Sequence, residues 1–257
     1  MLRSAALALC LAALPLGHLS DRAPRKTVAV LAFDNYTGKT DYDPLGKGIA
    51  SMMISDLSSV QQIQVLERDR IQDVVKEMDA QQTKYYDSTT AVKVGKLAGA
   101  EYVIVGSFSS LDPKMRIDTR VVRVGTGEVV KTAQVTGKQD DFFDLEQKLA
   151  KRLVDGLGVT LSPDDQQALA QRQQSNRMDN VNALLGFSTA LAMYDRGDYV
   201  GAIQKMAPVL QSSPNSAMVS DSYSEMKRRA ALASREKAKE KVNDKIKSGL
   251  GGLFKRP

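Results

Sequence analysis

The side chains best suited to acid–base, nucleophilic or metal chemistry are nearly missing from this chain. Its 257 residues include one cysteine, Cys10, and one histidine, His18. Imidazole is the usual general base and metal ligand near neutral pH, and a thiolate is a strong nucleophile. Both residues lie within the first 23 positions. If that segment is removed, the mature chain has neither an imidazole nor a thiol.

The amino-terminal segment has the layout of a secretory signal peptide. Arg3 precedes an apolar stretch over residues 5–16, which is shorter than the roughly 20 residues that span a bilayer. We predict a signal peptide over residues 1–23, with cleavage between Gly17 and Pro24. The protein is therefore expected in the periplasm, in association with the outer membrane or free of it.

Cys10 has a second interpretation as the acylated cysteine of a bacterial lipoprotein. Leu9 precedes it where a small residue is needed, and the apolar run continues past it. We therefore expect Cys10 to leave with the signal peptide, followed by His18. An enzyme would then depend on carboxylates, serines and lysines alone. The sequence predicts no enzyme, no catalytic, cofactor-binding or metal-binding residue and no cofactor; a hydrolase of envelope polymers is the weakest alternative.

Two kinds of local motif could carry chemistry but fit a structural role better. Gly46-Lys47-Gly48 resembles a phosphate loop only loosely, because its spacing fits neither the dinucleotide nor the triphosphate fingerprint, so it predicts a helix start. The acidic pairs Asp140-Asp141 and Asp164-Asp165 could bind a hard cation. Each pair precedes a helical pattern, where carboxylates favour the positive helix end, so we interpret them as capping residues.

Hydrophobic periodicity predicts one α/β domain over residues 24–160. The predicted order is β-α-β-α-α-β-β-β-α, with helices packed on a mixed sheet that ends in an antiparallel meander. The last two strands are joined across Gly125-Thr126-Gly127. Strands are predicted at 26–33, 64–66, 102–105, 115–124 and 129–135, and helices at 44–58, 69–82, 88–98 and 143–157.

A helical appendage is predicted after residue 160. A capping sequence at Ser162 opens a helix, and the polar stretch from Gln171 to Asn180 predicts a linker, so residues 161–180 form a helix and linker. Residues 181–224 are expected to form a hairpin of two helices resembling one tetratricopeptide repeat, with a further helix as its cap. The spacing depends on Gly197, Tyr199, Ala202, Met206, Val209 and Pro214.

The carboxyl-terminal segment, residues 225–257, holds most of the positive charge. It has eleven Lys or Arg against four Asp or Glu, a net charge of +7, while the whole chain carries +6. The α/β domain therefore has no general field for nucleic acid. Val242, Ile246 and Leu250 recur at helical spacing in this basic helical tail. A solvated, partly disordered tail and weak contact with an anionic membrane or polymer both remain open.

Four segments together resemble the CsgG family, named for the subunit of the curli secretion channel. They are KTVAVLAFDNYTG, LGKGIASMMISDLSSVQQIQVLERDRIQDVVKEM, TTAVKVGKLAGAEYVIVGS and RVVRVGTGEVV, which lie within residues 26–157 in unbroken order. The resemblance implies a cell-envelope protein that serves assembly or export of surface structures. It also implies a protein-binding domain similar to the TolB amino-terminal domain and to LpoB.

This chain departs from the curli channel subunit in two ways that matter for function. Too few residues lie between Gly106 and Val121 for a pair of membrane-crossing strands, and the lipid-anchor cysteine is not recognisable. We therefore expect an accessory or scaffold factor that docks envelope proteins. The alternative is a pore subunit like the curli channel, and self-association into a homo-oligomer is left open.

Overall fold

The computed structural model describes residues 24–78, 84–85, 87–111, 114–138, 141–178 and 180–253, with side chains as far as Asn243. The predicted signal peptide, Cys10, His18 and Asp140 lie outside the described residues. The fold class predicted from the sequence is confirmed, because the described residues form a mixed sheet with packed helices.

The elements follow the predicted order closely. The strands are β1 Lys26–Val30, β2 Asp34–Asn35, β3 Ile63–Val65, β4 Tyr102–Leu111, β5 Lys114–Arg123 and β6 Val129–Lys138. The helices are α1 Leu45–Leu57, α2 Arg68–Glu77, α3 Ser88–Ala98, α4 Phe142–Gly156, α5 Pro163–Asn176, α6 Val181–Asp195, α7 Tyr199–Ser212 and α8 Ala217–Leu253. A short 3-10 turn, Thr40–Tyr42, precedes α1.

The sheet has the strand order β3-β1-β4-β5-β6, and β2 pairs with β4 beside this path. β1 is parallel to both β3 and β4, whereas β4, β5 and β6 are antiparallel neighbours. Val28 and Ala29 of β1 are both fully buried although they point to opposite faces. β1 is therefore the central strand that its continuous apolar run predicts.

Each face of the sheet is covered by a different set of helices. Val28 and Val30 belong to the larger hydrophobic cluster, which includes residues of α1 and α4. Ala29 and Leu31 belong to the smaller cluster with residues of α2 and α3. The domain therefore has three layers, with the sheet in the middle.

Several predicted segments differ from the structure. The first strand ends at Val30 instead of residue 33, and the helix predicted over residues 69–82 ends at Glu77. β4 continues to Leu111, six residues beyond the predicted end, because it pairs along its whole length with β5. The linker predicted from Gln171 is wrong over its first half, since α5 continues to Asn176. Gln173 and Asn176 are buried there and bond to α1, so polar composition does not indicate exposure at this place.

The appended helices pack on the α/β domain as well as on each other. α6 contacts both α7 and α1, and α8 contacts α7 and α5. Phe187 of α6 and Met206 of α7 are fully buried in the same cluster as Val28. The boundary near residue 160 and the repeat-like character of α6 and α7 remain predictions.

α8 is one continuous helix of 37 residues. Its first half packs against the body through Val219 and Met226, whereas every described residue from Ser234 to Asn243 is exposed. Over the residues that the structure describes, α8 included, no helix has the length and apolar content required to cross a membrane.

Candidate docking site

A crevice opens beyond the carboxyl ends of β1 and β3, where the connection after β1 leaves on one face and that after β3 leaves on the other. α1 follows β1 and packs in the larger cluster, while α2 follows β3 and packs in the smaller one. Open α/β sheets hold ligands or partners at such switch points, because the two loops diverge there. The cavity at this point measures about 460 Å³.

The last residue of α6, Asp195, is an acid that lines this crevice. Asp195 is 4% exposed and accepts hydrogen bonds from Lys47 Nζ of α1 and from Arg68 Nη1 of α2, the latter at 2.5 Å. Arg68 also pairs with Asp69 at 2.8 Å. A buried carboxylate requires such partners, so the ion pairs join the helical appendage to both faces of the α/β domain.

Close backbone packing brings α6 to this position. An added Cβ at Gly48 would lie 2.0 Å from Ser188 Oγ of α6, and one at Gly46 would lie 1.9 Å from the carbonyl oxygen of Phe33. Both glycines therefore allow α1 to approach its neighbours more closely than any other residue would. They flank Lys47, whose side chain lines the crevice.

Beside the ion pairs, Asp34 accepts a hydrogen bond from the backbone N–H of Tyr85 at 3.1 Å. Burial, followed by the charges of Asp34 and Asp195, raises the pKa of Tyr85 to about 12. Tyr85 therefore lines the crevice in its protonated, neutral form at physiological pH. The two acids near it, Asp34 and Asp195, hold neighbouring segments together through hydrogen bonds and ion pairs.

A second concavity, here named the composite groove, lies between the α/β domain and the appendage. It measures about 630 Å³ and takes its lining from α1, α2, α5, α6 and α8. Apolar side chains in it include Ile54, Leu191, Tyr194, Met218 and Met226. Neither unit alone forms this groove, because its lining comes both from α1 and α2 of the α/β domain and from the appended helices α5, α6 and α8.

Polar contacts fix the walls of the composite groove. Tyr194 donates to Asp69 Oδ2 at 3.0 Å, and its hydroxyl lies 3.3 Å from Glu225 Oε1. Glu225 accepts from Arg228 and Arg229 on the next turn of α8. Burial, then the charge of Asp69, raises the pKa of Tyr194, which keeps this hydroxyl a hydrogen-bond donor.

Two further acids are buried beneath α5. Asp56 of α1 and Glu146 of α4 are each 1% exposed, and Gln173 donates to Asp56 Oδ2 at 2.8 Å. Glu146 Oε1 has no hydrogen-bond partner among the described residues. Burial raises the pKa of Asp56 to about 6, and burial together with the charge of Asp56 raises the pKa of Glu146 well above its usual value.

The motifs singled out in the sequence take the structural roles predicted for them, with one exception. Gly46-Lys47-Gly48 lies in the first turn of α1. Asp165 and Ser162 form a capping box at the start of α5, as expected. Asp141 stands at the N-cap of α4 but makes no side-chain cap hydrogen bond, so its predicted capping interaction is not formed.

Sequence reasoning missed the acids that matter most to the architecture, namely Asp195, Asp56 and Glu146. Each is a single acid within a helical pattern, which ordinarily indicates a solvated position. Two weak signals exist: Asp56 falls on the apolar spacing of α1, and Glu146 lies among Phe142, Phe143, Leu145 and Leu149. Across the described parts of the chain, no cluster of three or more His, Cys, Asp or Glu could hold a metal ion.

Comparison with known proteins gives one family match and one curated relative. Residues 11–116 match the model of the family described as the curli production assembly/transport component CsgG. A Rhizobium meliloti (strain 1021) protein named as adenylate cyclase 3 is 23% identical over 203 residues, which is 78% of this chain and 32% of that protein. The chain thus spans about a third of that relative, whose activity cannot be carried over.

Several solved structures are similar at low identity. The LpoB carboxyl-terminal domain of Salmonella enterica is 15% identical with a TM-score of 0.39, covering 46% of this chain and 87% of that domain. PelC of Paraburkholderia phytofirmans, a dodecamer, is 16% identical with a TM-score of 0.34, covering 54% of this chain and 90% of that one. These scores are too low to support an argument. The family match confirms the resemblance seen in the sequence over the residues that both cover, 26–116.

Proposed function

We propose that this chain is a non-enzymatic cell-envelope protein that docks other proteins as an accessory or scaffold in the assembly or export of surface structures. The family match supports the envelope setting, because the matched family is described by curli assembly and transport. Export by the signal peptide over residues 1–23 and a periplasmic or outer-membrane-associated location belong to the same proposal.

The composite groove is the observation that carries the docking role. Its lining comes from two units joined by ion pairs at the buried Asp195, so its shape is preformed. A groove that is ready before binding avoids part of the ordering cost of association. The groove therefore supports docking of a protein segment against both units at once.

The lining of the composite groove has the composition of a protein interface. Interface cores are enriched in Tyr, Met and Arg, and the groove lining includes Tyr194, Met218, Met226, Arg172 and Arg228. Methionine side chains adapt to varied partner surfaces because they are unbranched and flexible. The groove suits an amphipathic segment that presents apolar side chains with polar groups at their edges.

The test is photocrosslinking in cells of the source organism. A photoreactive residue replaces Ser58, just after α1, or Asp221 of α8, both of which line the groove. Leu97 on α3 serves as a control because it is 61% exposed and lies outside the groove lining. We expect a discrete crosslinked protein in the envelope fraction from both groove positions and none from Leu97. Mass spectrometry then identifies the crosslinked protein.

A matched pair of substitutions shows whether the groove itself is responsible. Ser222→Trp fills the groove, whereas Ser224→Trp adds the same ring to an exposed position of α8 outside the groove lining. We expect the first variant to lose the crosslink and the second to keep it. Equal crosslinking from Leu97, or a crosslink that survives Ser222→Trp, would contradict the proposal. Sedimentation of the same variants reports whether the chain forms a homo-oligomer.

A further inference from the structure

The two edges of the sheet differ in length. β3 forms one edge with three residues, whereas β6 forms the other with ten. The register between β5 and β6 is unbroken over residues 131–138 of β6, a run of about 27 Å. Within the part of the chain that the structure describes, no strand pairs with the outer side of β6. A long, regular edge of this kind offers unpaired backbone groups to an added strand.

Alternate residues of β6 turn their backbone groups away from β5. The carbonyl oxygen of Ala133 points towards β5, where it accepts a hydrogen bond from Thr119 Oγ1 at 3.1 Å. The next carbonyl oxygen, that of Gln134, instead accepts from Arg152 of α4. Because hydrogen-bonding directions alternate along a strand, the N–H and C=O groups of residues 132, 134, 136 and 138 face outward. They form a row of donors and acceptors along the open edge.

The surroundings of β6 leave space along this edge. α4 packs on one face of the strand, where Ala133 and Val135 are buried. The side chains at positions 132, 134, 136 and 138 are exposed on the other face. A concavity of about 420 Å³ lies beside residues 131–134, and Arg152 contributes to its lining. An extended segment can therefore approach the edge from solvent.

The charges along this edge are positive. Residues 129–138 include Lys131 and Lys138 and no Asp or Glu, and Arg152 reaches the same edge from α4. Lys138 stands directly opposite Lys114 of β5, and like charges in this position are destabilising. A carboxylate placed next to Lys138 would relieve that repulsion.

The same charges oppose the pairing of β6 with a second copy of itself. In an antiparallel pair of β6 strands in full register over residues 131–138, Lys131 of each copy stands opposite Lys138 of the other. Edge lysines commonly prevent such self-association. The charge therefore favours an acidic strand over a second copy of this chain.

We propose that the open edge of β6, residues 131–138, binds an extended acidic segment of a partner protein as an added strand. Backbone hydrogen bonds supply the affinity, while Lys131, Lys138 and Arg152 select carboxylates. An N–H group of the added strand replaces Arg152 at the Gln134 carbonyl, which leaves the guanidinium to pair with a carboxylate of the segment. The concavity at this edge shares no lining residue with the composite groove, and the inference does not depend on docking at that groove.

Hydrogen exchange in the presence of designed peptides tests this inference. The probe is an eight-residue peptide of alternating Glu and Val. Its control carries a methyl group on every backbone nitrogen, which keeps the charge but removes the donors to β6. We expect the probe to slow amide exchange over residues 131–138 about tenfold or more and the methylated peptide to leave it unchanged. Equal effects of the two peptides, or protection of α8 without protection of β6, overturn the proposal.

A matched pair of substitutions at one position locates the binding at the edge. Gln134→Pro removes an outward N–H group and places a ring at the edge, which an edge strand tolerates, whereas Gln134→Ala keeps the backbone unchanged. We expect the proline variant to bind the Glu–Val peptide about tenfold more weakly or worse and the alanine variant to bind as the wild type does. Circular dichroism verifies that both variants fold.

Charge reversal provides a second variant that keeps the backbone of β6. Lys131→Glu with Lys138→Glu should weaken binding of the Glu–Val peptide about tenfold and favour a Lys–Val peptide instead. The same change at Lys237 and Lys241, on the exposed part of α8, should have no such effect. Unchanged binding after the reversal on β6 contradicts the proposal. A dimer in sedimentation that Gln134→Pro abolishes would show that a second copy covers this edge, and the acidic partner would be wrong.

Discussion

Asp195 and Glu146 are both acids with almost no exposure, one at the junction between the α/β domain and the appendage, the other beneath α5. Asp195 keeps its charge because Lys47 and Arg68 reach it from two helices. For Glu146 no ion pair is found among the described residues, and its acidic neighbour Asp56 favours the protonated form. The molecule thus buries one carboxyl group as an ion pair and the other as a neutral acid.

This difference indicates what each region is able to do. The ion pairs of Asp195 with Lys47 and Arg68 depend on geometry, because charge-assisted hydrogen bonds form only when α1, α2 and α6 bring these groups into contact. The pair beneath α5 is instead sensitive to proton concentration, because its second negative charge has no partner. Removal of one charged side chain should therefore lower stability most at the junction, whereas a change of pH should lower stability most at the contact between α1 and α5.

The largest effect is expected for Asp195→Ala. The change leaves Lys47 and Arg68 partly buried without their shared carboxylate, and we expect the free energy of unfolding to fall by about 3 kcal/mol. Urea denaturation at neutral pH, followed by circular dichroism, measures this. Asp73→Ala on the exposed side of α2 is the matched control and should change stability by less than about 0.5 kcal/mol. A similar small effect at Asp195 would show that the ion pairs do not hold the junction.

The next largest effect is the pH dependence at Asp56. Its pKa is raised from 3.8 to about 6 on folding, so its neutral form is favoured in the folded state. The contribution is complete below pH about 4 and is lost as pH rises to about 6, a loss of up to about 3 kcal/mol. The groups facing it are Glu146 on α4 and Gln173, Asn176 and Arg172 on α5.

Asp56→Asn removes this titrating group together with the charge that it places beside Glu146. The amide oxygen still accepts from Gln173, so the variant should equal the wild type in acid and exceed it at neutral pH. Denaturation curves for both proteins at several pH values supply the comparison. Parallel stability profiles for the two proteins would mean that Asp56 is ionised throughout and that the contrast with Asp195 does not hold.

A smaller effect is expected from steric crowding at the junction. Gly48→Ala places a methyl group against Ser188 Oγ and should destabilise the contact between α1 and α6 by about 1–3 kcal/mol. Ser188→Ala removes that oxygen, so the double variant should recover part of the loss. Thermal unfolding of the three variants measures the coupling. Simple additivity of the two single changes would show that the helices do not meet at this point.

The smallest effect is expected at Glu225, whose partners Arg228 and Arg229 are largely exposed. Glu225→Gln should change the free energy of unfolding by less than about 1 kcal/mol, because solvent screens such pairs. The measurement is the same urea series used for Asp195. A loss as large as that at Asp195 would mean that exposure does not separate the two clusters.

The layers of the α/β domain could be predicted because they depend on local apolar patterns. The run around Val28 predicts a central strand, and the spacing of Ile49 and Met53 predicts α1, since each pattern needs only its own neighbours. The site could not be predicted in the same way. Asp195 meets Lys47 across 148 positions and Gln173 meets Asp56 across 117, and no local pattern shows which distant charges will meet.

The close contact at Gly48 also allows relatives to be sorted from sequence alone. The three atoms nearest to a Cβ added there all belong to the appended helix, to Ser188 and Leu184. A homologous domain with a side chain at the aligned position cannot seat an appendage in this pose, whereas one with glycine can. A single aligned column would therefore identify, among proteins without a structure, those that can share this two-part architecture.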